Sequence, residues 1–167
     1  MSKEYIMCKY LHRFICNLRF LYFIILMTIA TFVLPLVSFL IPIEAERNPI
    51  EDVSIIRQVI SGCVVAPLIE TALYQMFLFW ILKDIPFVRK YDNIPTIFLS
   101  AIIFGTIHSY GISYKVYTGL MGVILGYSYW IYKKKKEKTP KTLSAYWVVF
   151  LIHALHNFFT FILKNFT

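Results

Sequence analysis

Charge is what this chain of 167 residues has least of: Asp, Glu, Lys and Arg together make 16% of it, and only nine positions are acidic. The apolar fraction is 59%, whereas a soluble domain carries about 25% charged and about 45–50% apolar residues. A disordered chain is poorer still in apolar groups, so both classes are excluded, as is a coiled coil. Cysteine is scarce as well. Cys8, Cys16 and Cys63 are too few for a disulfide framework and have no metal-ligand spacing, and an odd number with two near the amino terminus argues for reduced thiols. Six glycines and seven prolines form no flexible or proline-rich linker, and no internal repeat is visible.

What is present is a set of uncharged runs: 24 residues at 20–43, 22 at 93–114, 17 at 116–132 and 22 at 142–163. Runs of about 18 or more apolar residues read as membrane spans, each needing about 20 residues to cross the hydrocarbon. A fifth stretch, 58–82, qualifies except that Glu70 sits in its middle. The expected fold is therefore an all-α polytopic membrane bundle of five helices at 20–43, 59–82, 94–112, 114–132 and 144–164. It divides into a basic arm 1–19, a first span 20–43 retained as an anchor, and a core 59–164. Pro35 is a candidate kink in the first span. Gly122 and Gly126 allow a second helix to approach the fourth span closely.

The basic residues orient the bundle. Thirteen of the 17 Lys and Arg lie in the arm, the 83–92 loop and the 133–141 loop, against four at 44–57, Lys115 and Lys164. This asymmetry puts the amino terminus in the cytoplasm and the carboxyl terminus outside. The net charge of +8 is then topogenic, and the run Lys133–Lys138 meets anionic lipid headgroups rather than nucleic acid. The partners expected are membrane lipids and a substrate that reaches the bundle from the membrane or the cytoplasmic side. The 12 Tyr, 15 Phe and 3 Trp are assigned to packing and to interface belts.

Ionisable residues within spans are costly, about 2.5–3.5 kcal/mol each at mid-helix, and so are functional candidates by default. Glu70 is about 11 residues from either end of its span, with Thr71, Tyr74 and Gln75 as polar neighbours. His108 closes the third span four residues after Phe104, while His153 and Asn157 share a face of the fifth and His156 lies at its edge. With a rise of about 1.5 Å per residue, Glu70 lies about 16 Å from the outer side, and His108, His153 and Asn157 about 21, 13 and 20 Å from the inner side. All four fall at overlapping depths within a core of about 30 Å.

Three segments carrying these residues resemble motifs of the CAAX protease and bacteriocin-processing family, also called Abi. Ala66-Pro67-Leu68-Ile69-Glu70-Thr71-Ala72-Leu73-Tyr74-Gln75 resembles its Glu-Glu-x-x-x-Arg motif preceded by Ala-Pro. Phe104-Gly105-Thr106-Ile107-His108 resembles Phe-x-x-x-His, and His153-Ala154-Leu155-His156-Asn157 resembles His-x-x-x-Asn. The match runs over roughly 62–160. Thr71 replaces the second Glu and Gln75 the Arg, and a neutral hydrogen bond between them is expected in place of an ion pair.

The resemblance implies intramembrane peptide hydrolysis. Glu70 activates a water, His108 orients that water or shares the proton, and His153 and Asn157 donate to the oxyanion, with Thr71, Tyr74, Gln75 and Phe104 in support. Prenyl-CAAX, leader-peptide and bacteriocin processing or immunity are the substrate roles it suggests, and a bacterial cell membrane the setting. No cofactor is expected, the alternative being zinc held by Glu70, His108 and His153. Two other readings compete: an inactive relative that captures a peptide in the same cavity, and a haem protein ligated by His108 with His153 or His156.

Overall fold

The computed structural model describes residues 3–40, 52–108 and 110–166 and is all-α, as the run lengths predict. Among the described residues seven helices follow one another: α1 Lys3–Asn17, α2 Phe20–Val33, α3 Ile55–Leu82, α4 Pro86–Lys90, α5 Ile94–Ile107, α6 Ile112–Lys138 and α7 Ala145–Phe166. Positions 41–43 of the first expected span and 44–51 of the loop after it lie outside the described residues.

Proline accounts for the irregularity in α2. Past Val33, α2 tightens into a 3-10 helix over Leu34–Leu40. Pro35 has no N–H to return to Thr31, so the α-helical ladder cannot continue there. The Thr31 hydroxyl instead donates to the Thr28 carbonyl, and the Ser38 hydroxyl to that of Pro35. In α3 two stretches, Val59–Val65 and Thr71–Phe77, widen into π-helical turns on either side of an α-helical turn, Ala66–Glu70.

α5 and α6 form a close antiparallel hairpin built on small residues. Gly119 and Lys115 lie against Gly105, Ala101 against Gly122, and Ile97 against Gly126. A Cβ on Gly105 would stand 2.6 Å from the Lys115 carbonyl oxygen and 3.0 Å from Gly119 Cα. The close approach expected at Gly122 and Gly126 is thus present, with Gly105 as its tightest point. The third span was expected to run to 112, but α5 ends at Ile107 because the chain must reverse by Gly111, whose φ of 92° suits glycine.

α6 is the central element, packed against α2, α5 and α7. Phe23, Phe79, Phe104, Leu125, Ile131, Val148, Val149 and Ile152 form a buried core around it. The α7 face that enters this core repeats at helical spacing: Ala145, Val148, Val149, Ile152, His153 and His156.

The lysine run, expected as a loop over headgroups, is the last part of α6. Its cations face other elements. Lys133 lies over the Phe79 ring, Lys134 pairs with Asp92 and lies over Trp130, and Lys135 donates to the Leu18 carbonyl at 3.0 Å. The three basic segments are therefore gathered at one end of the molecule. α1 sits there too, with His12 Nδ1 2.8 Å from the Tyr127 hydroxyl.

Among the described residues three helices are long and apolar enough to cross a membrane, rather than the five expected: Phe20–Ser38, Ile55–Leu82 and Ala145–Phe166, with mean hydropathies of 2.5, 1.6 and 1.6. The 14 residues of α5 extend only about 21 Å, and α6 carries Lys115 and the lysine run. The Gly105 contact gives a direct check on this packing. Gly105→Ala should lower stability by about 1–3 kcal/mol through overpacking against backbone, read as a fall in the melting temperature of the detergent-solubilised protein. An unchanged melting temperature would contradict the α5–α6 contact.

Candidate active site

Glu70 ends the single α-helical turn between the two widened turns of α3. π-helical turns lengthen the hydrogen-bond step from four residues to five and recur at functional sites, because they rotate the side chains that follow. The side chain of Glu70 is 22% exposed, the most open of the cluster, against 16% for His108 and 2% for His153. Its Oε1 lies 3.9 Å from His108 Nε2 and its Oε2 lies 3.5 Å from His153 Nε2. Three helices, α3, α5 and α7, thus bring one carboxylate between two imidazoles, the convergence that the depth argument predicts.

Phe104 holds the imidazoles. Its ring is 1% exposed, with ring centres 4.6 Å from His108, 5.7 Å from His153 and 5.7 Å from Tyr74. His108 follows the last residue of α5, and its Nδ1 lies 2.6 Å from the Phe104 carbonyl oxygen. A carbonyl only accepts, so Nδ1 carries the hydrogen, and a neutral His108 turns the lone pair of Nε2 toward Glu70. His153 Nδ1 has no hydrogen-bond partner among the described residues. On α3, the Tyr74 carbonyl accepts from the Ser100 hydroxyl at 2.5 Å, joining α3 to α5.

Asn157 is not beside the carboxylate in the same manner. Its Nδ2 donates to the Gly62 carbonyl at 2.7 Å, one helical stretch before Glu70. His156 is outside the cluster: Nδ1 is 2.9 Å from the Thr31 hydroxyl, Nε2 is 3.2 Å from the Tyr117 hydroxyl, and the ring stacks on Phe32. It ties α7 to α2 and α6.

Thr71 and Gln75 are fully buried, but the hydrogen bond expected between them is absent. The Thr71 hydroxyl and both polar atoms of the Gln75 amide lack partners among the described residues. The turn is widened over Thr71–Phe77, so positions four apart no longer stand one above the other as on an α-helix.

Sequence reasoning missed two contributors. Tyr146 donates its hydroxyl to the Leu68 carbonyl at 3.2 Å, fastening α7 to the turn that carries Glu70, and the Tyr114 ring lies 6.0 Å from that of His108. Both were absorbed into the general aromatic content, and neither has a spacing that would single it out.

The haem reading finds no pair of free imidazoles among the described residues. Both nitrogens of His156 are engaged, and the Glu70 carboxylate stands against the other two rings. Among the described residues no three His, Cys, Asp or Glu side chains are grouped to hold a metal ion. The unpartnered His153 Nδ1 also lacks the oriented second hydrogen bond that metal-bound histidines almost always make.

The family model for the Rce1-like type II CAAX prenyl endopeptidases matches residues 52–159, which include α3, α4, α5, α6 and most of α7. The chain belongs to this family. The resemblance drawn from the three motifs therefore holds, and α1 and α2 lie outside the matched region. No curated protein and no solved structure matches the chain. Family membership together with the long apolar helices makes this an integral membrane protein.

The departure from the family motif at Thr71 gives a stability test. Because its hydroxyl has no partner among the described residues, Thr71→Val removes a buried unsatisfied group at nearly constant shape. The melting temperature should hold or rise, by the equivalent of up to about 1 kcal/mol. A clear fall would mean that the hydroxyl makes a bond essential to the fold.

Proposed function

We propose that the protein is an intramembrane endopeptidase in which Glu70 is the general base. The observation that carries this reading is the Glu70 carboxylate lying 3.9 and 3.5 Å from Nε2 of His108 and His153, on helices within the family match.

The hydrogen-bond pattern supports a division of labour. With Nδ1 of His108 bound to Phe104, its Nε2 and Glu70 Oε1 face each other as two acceptors. They are too far apart to share a proton directly, and a water donating one hydrogen to each suits the gap. As the water oxygen attacks the scissile carbonyl carbon, Glu70 takes its proton and the carbonyl oxygen becomes an oxyanion. In this scheme His153, beside the carboxylate, donates from Nε2 to that charge. Asn157 has a second amide hydrogen beyond the one used on Gly62 and adds to the oxyanion site. Glu70 then passes its proton to the leaving nitrogen as the C–N bond breaks, giving a carboxylic acid and an amine. A positioned base contributes about 10²–10⁴ in rate, and one oxyanion donor about 2.7–4 kcal/mol.

Every role in this scheme is filled by a side chain of the protein, and none is routed through a metal. The same proposal keeps the orientation argued from the basic residues, with the amino terminus and the end of α6 cytoplasmic. The contacts of Lys133, Lys134 and Lys135 support placing those segments on one side.

The purified protein in nanodiscs should cleave a prenylated CAAX-type peptide, the substrate class in the family's name. Glu70→Gln should lower the rate by about 10²–10⁴, and a strong chelator should leave wild-type turnover intact. Equal cleavage by Glu70→Gln would contradict the base assignment, and loss of turnover in chelator would contradict the metal-free mechanism. Binding of the peptide without cleavage by either protein would favour the capture reading.

A further inference from the structure

The hydrogen bond from Asn157 to Gly62 has a cause in the sequence of α3. The backbone N–H of Ala66 donates to Ser61, five residues back, so the ladder there has shifted to the π register. In an α-helical register the Gly62 carbonyl would accept from Ala66, but that donor is taken. In the π register it would accept from residue 67, which is Pro67 and has no N–H. The Gly62 carbonyl therefore has no donor within its own helix in either register. Asn157, reaching across from α7, supplies the missing one at 2.7 Å.

We propose that Asn157 is a positioning residue for Glu70: its amide completes the ladder that Pro67 interrupts, and so fixes the angle at which the following turn presents the carboxylate to His108 and His153. Pro67 is buried, and Glu70 follows it by three residues on the same α-helical turn. Two ties from α7 bracket Pro67: Asn157 to Gly62 before it and Tyr146 to Leu68 after it. His153, four residues before Asn157, is held on the same face of α7. One side chain thereby sets the spacing between α3 and α7 across which the carboxylate and His153 meet. Without it, a half-buried carbonyl would be left unpaired beside a widened turn, and the turn would be free to rewind. A displacement of about 1 Å at a catalytic group can cost about a hundredfold in rate.

This rests on the endopeptidase reading for its kinetic arm but not for its structural arm. The test is a double-mutant cycle of Asn157→Ala and Pro67→Ala. The Pro67→Ala change restores a backbone N–H in the register that reaches Gly62, so it substitutes chemically for the lost amide. Asn157→Ala alone should lower both the melting temperature and kcat. Adding Pro67→Ala to it should raise kcat at least about tenfold, the scale of one hydrogen bond to a half-buried carbonyl, with KM little changed. The gain in melting temperature from Pro67→Ala should also be larger in the Asn157→Ala background than in wild type, the non-additivity expected of coupled sites.

Additive melting temperatures with no recovery of kcat would overturn the proposal and leave Asn157 as an oxyanion donor alone. Non-additive melting temperatures without turnover in any variant, wild type included, would uphold the tie between Asn157 and Gly62 and contradict the endopeptidase reading instead. Recovery of kcat with additive melting temperatures would also overturn it, since the rescue would not then pass through the carbonyl.

Discussion

A carboxylate within an apolar helix is the constraint on which the rest of this structure depends. Left alone in hydrocarbon, Glu70 would cost several kcal/mol, and the bundle answers by bringing an imidazole to each of its oxygens. Those imidazoles come from helices that are distant in sequence, so the site exists only when α3, α5 and α7 are packed in one register. Phe104 enforces that register, because its buried ring touches both histidines and Tyr74.

Backbone geometry does the remaining positioning. The α5–α6 hairpin approaches closely enough for Gly105 to meet the Lys115 carbonyl, and the reversal at Gly111 leaves His108 at the open end of α5. On α3, departures from the α-helix set the direction of Glu70, and α7 holds them through Tyr146 and Asn157. α6, whose buried residues concentrate between Met121 and Tyr132, is the post against which these helices stand. Its basic end locks the amino-terminal helices and the α4–α5 turn to the same end of the bundle.

Much of this was legible in the sequence, for physical reasons. Uncharged runs report helices because hydrocarbon admits no unpaired backbone, and a lone Glu within such a run stands out because its cost is otherwise pointless. The four-residue spacings of Phe104 with His108 and of His153 with Asn157 are face relations that a helix preserves. What failed to be legible depends on register and on tertiary contact. Reading α3 as a uniform α-helix paired Thr71 with Gln75, and the widened turn separated them. The lysine run looked like a loop because its charges suggested solvent, whereas the rings of Phe79 and Trp130, Asp92 and the Leu18 carbonyl give it partners. Hydropathy counted α5 and α6 as spans without registering that one is short and the other ends in cations. Nothing in composition announces that a proline leaves a carbonyl for an asparagine ninety-five positions away.

The central claim is that water attacks a peptide bond at Glu70. Membranes from cells expressing wild type or Glu70→Gln can be incubated in heavy-oxygen water and their peptide carboxyl termini compared by mass spectrometry. New termini carrying heavy oxygen should appear in the wild-type membranes and not in the variant. The same labelled termini in both, or in neither, would contradict that claim.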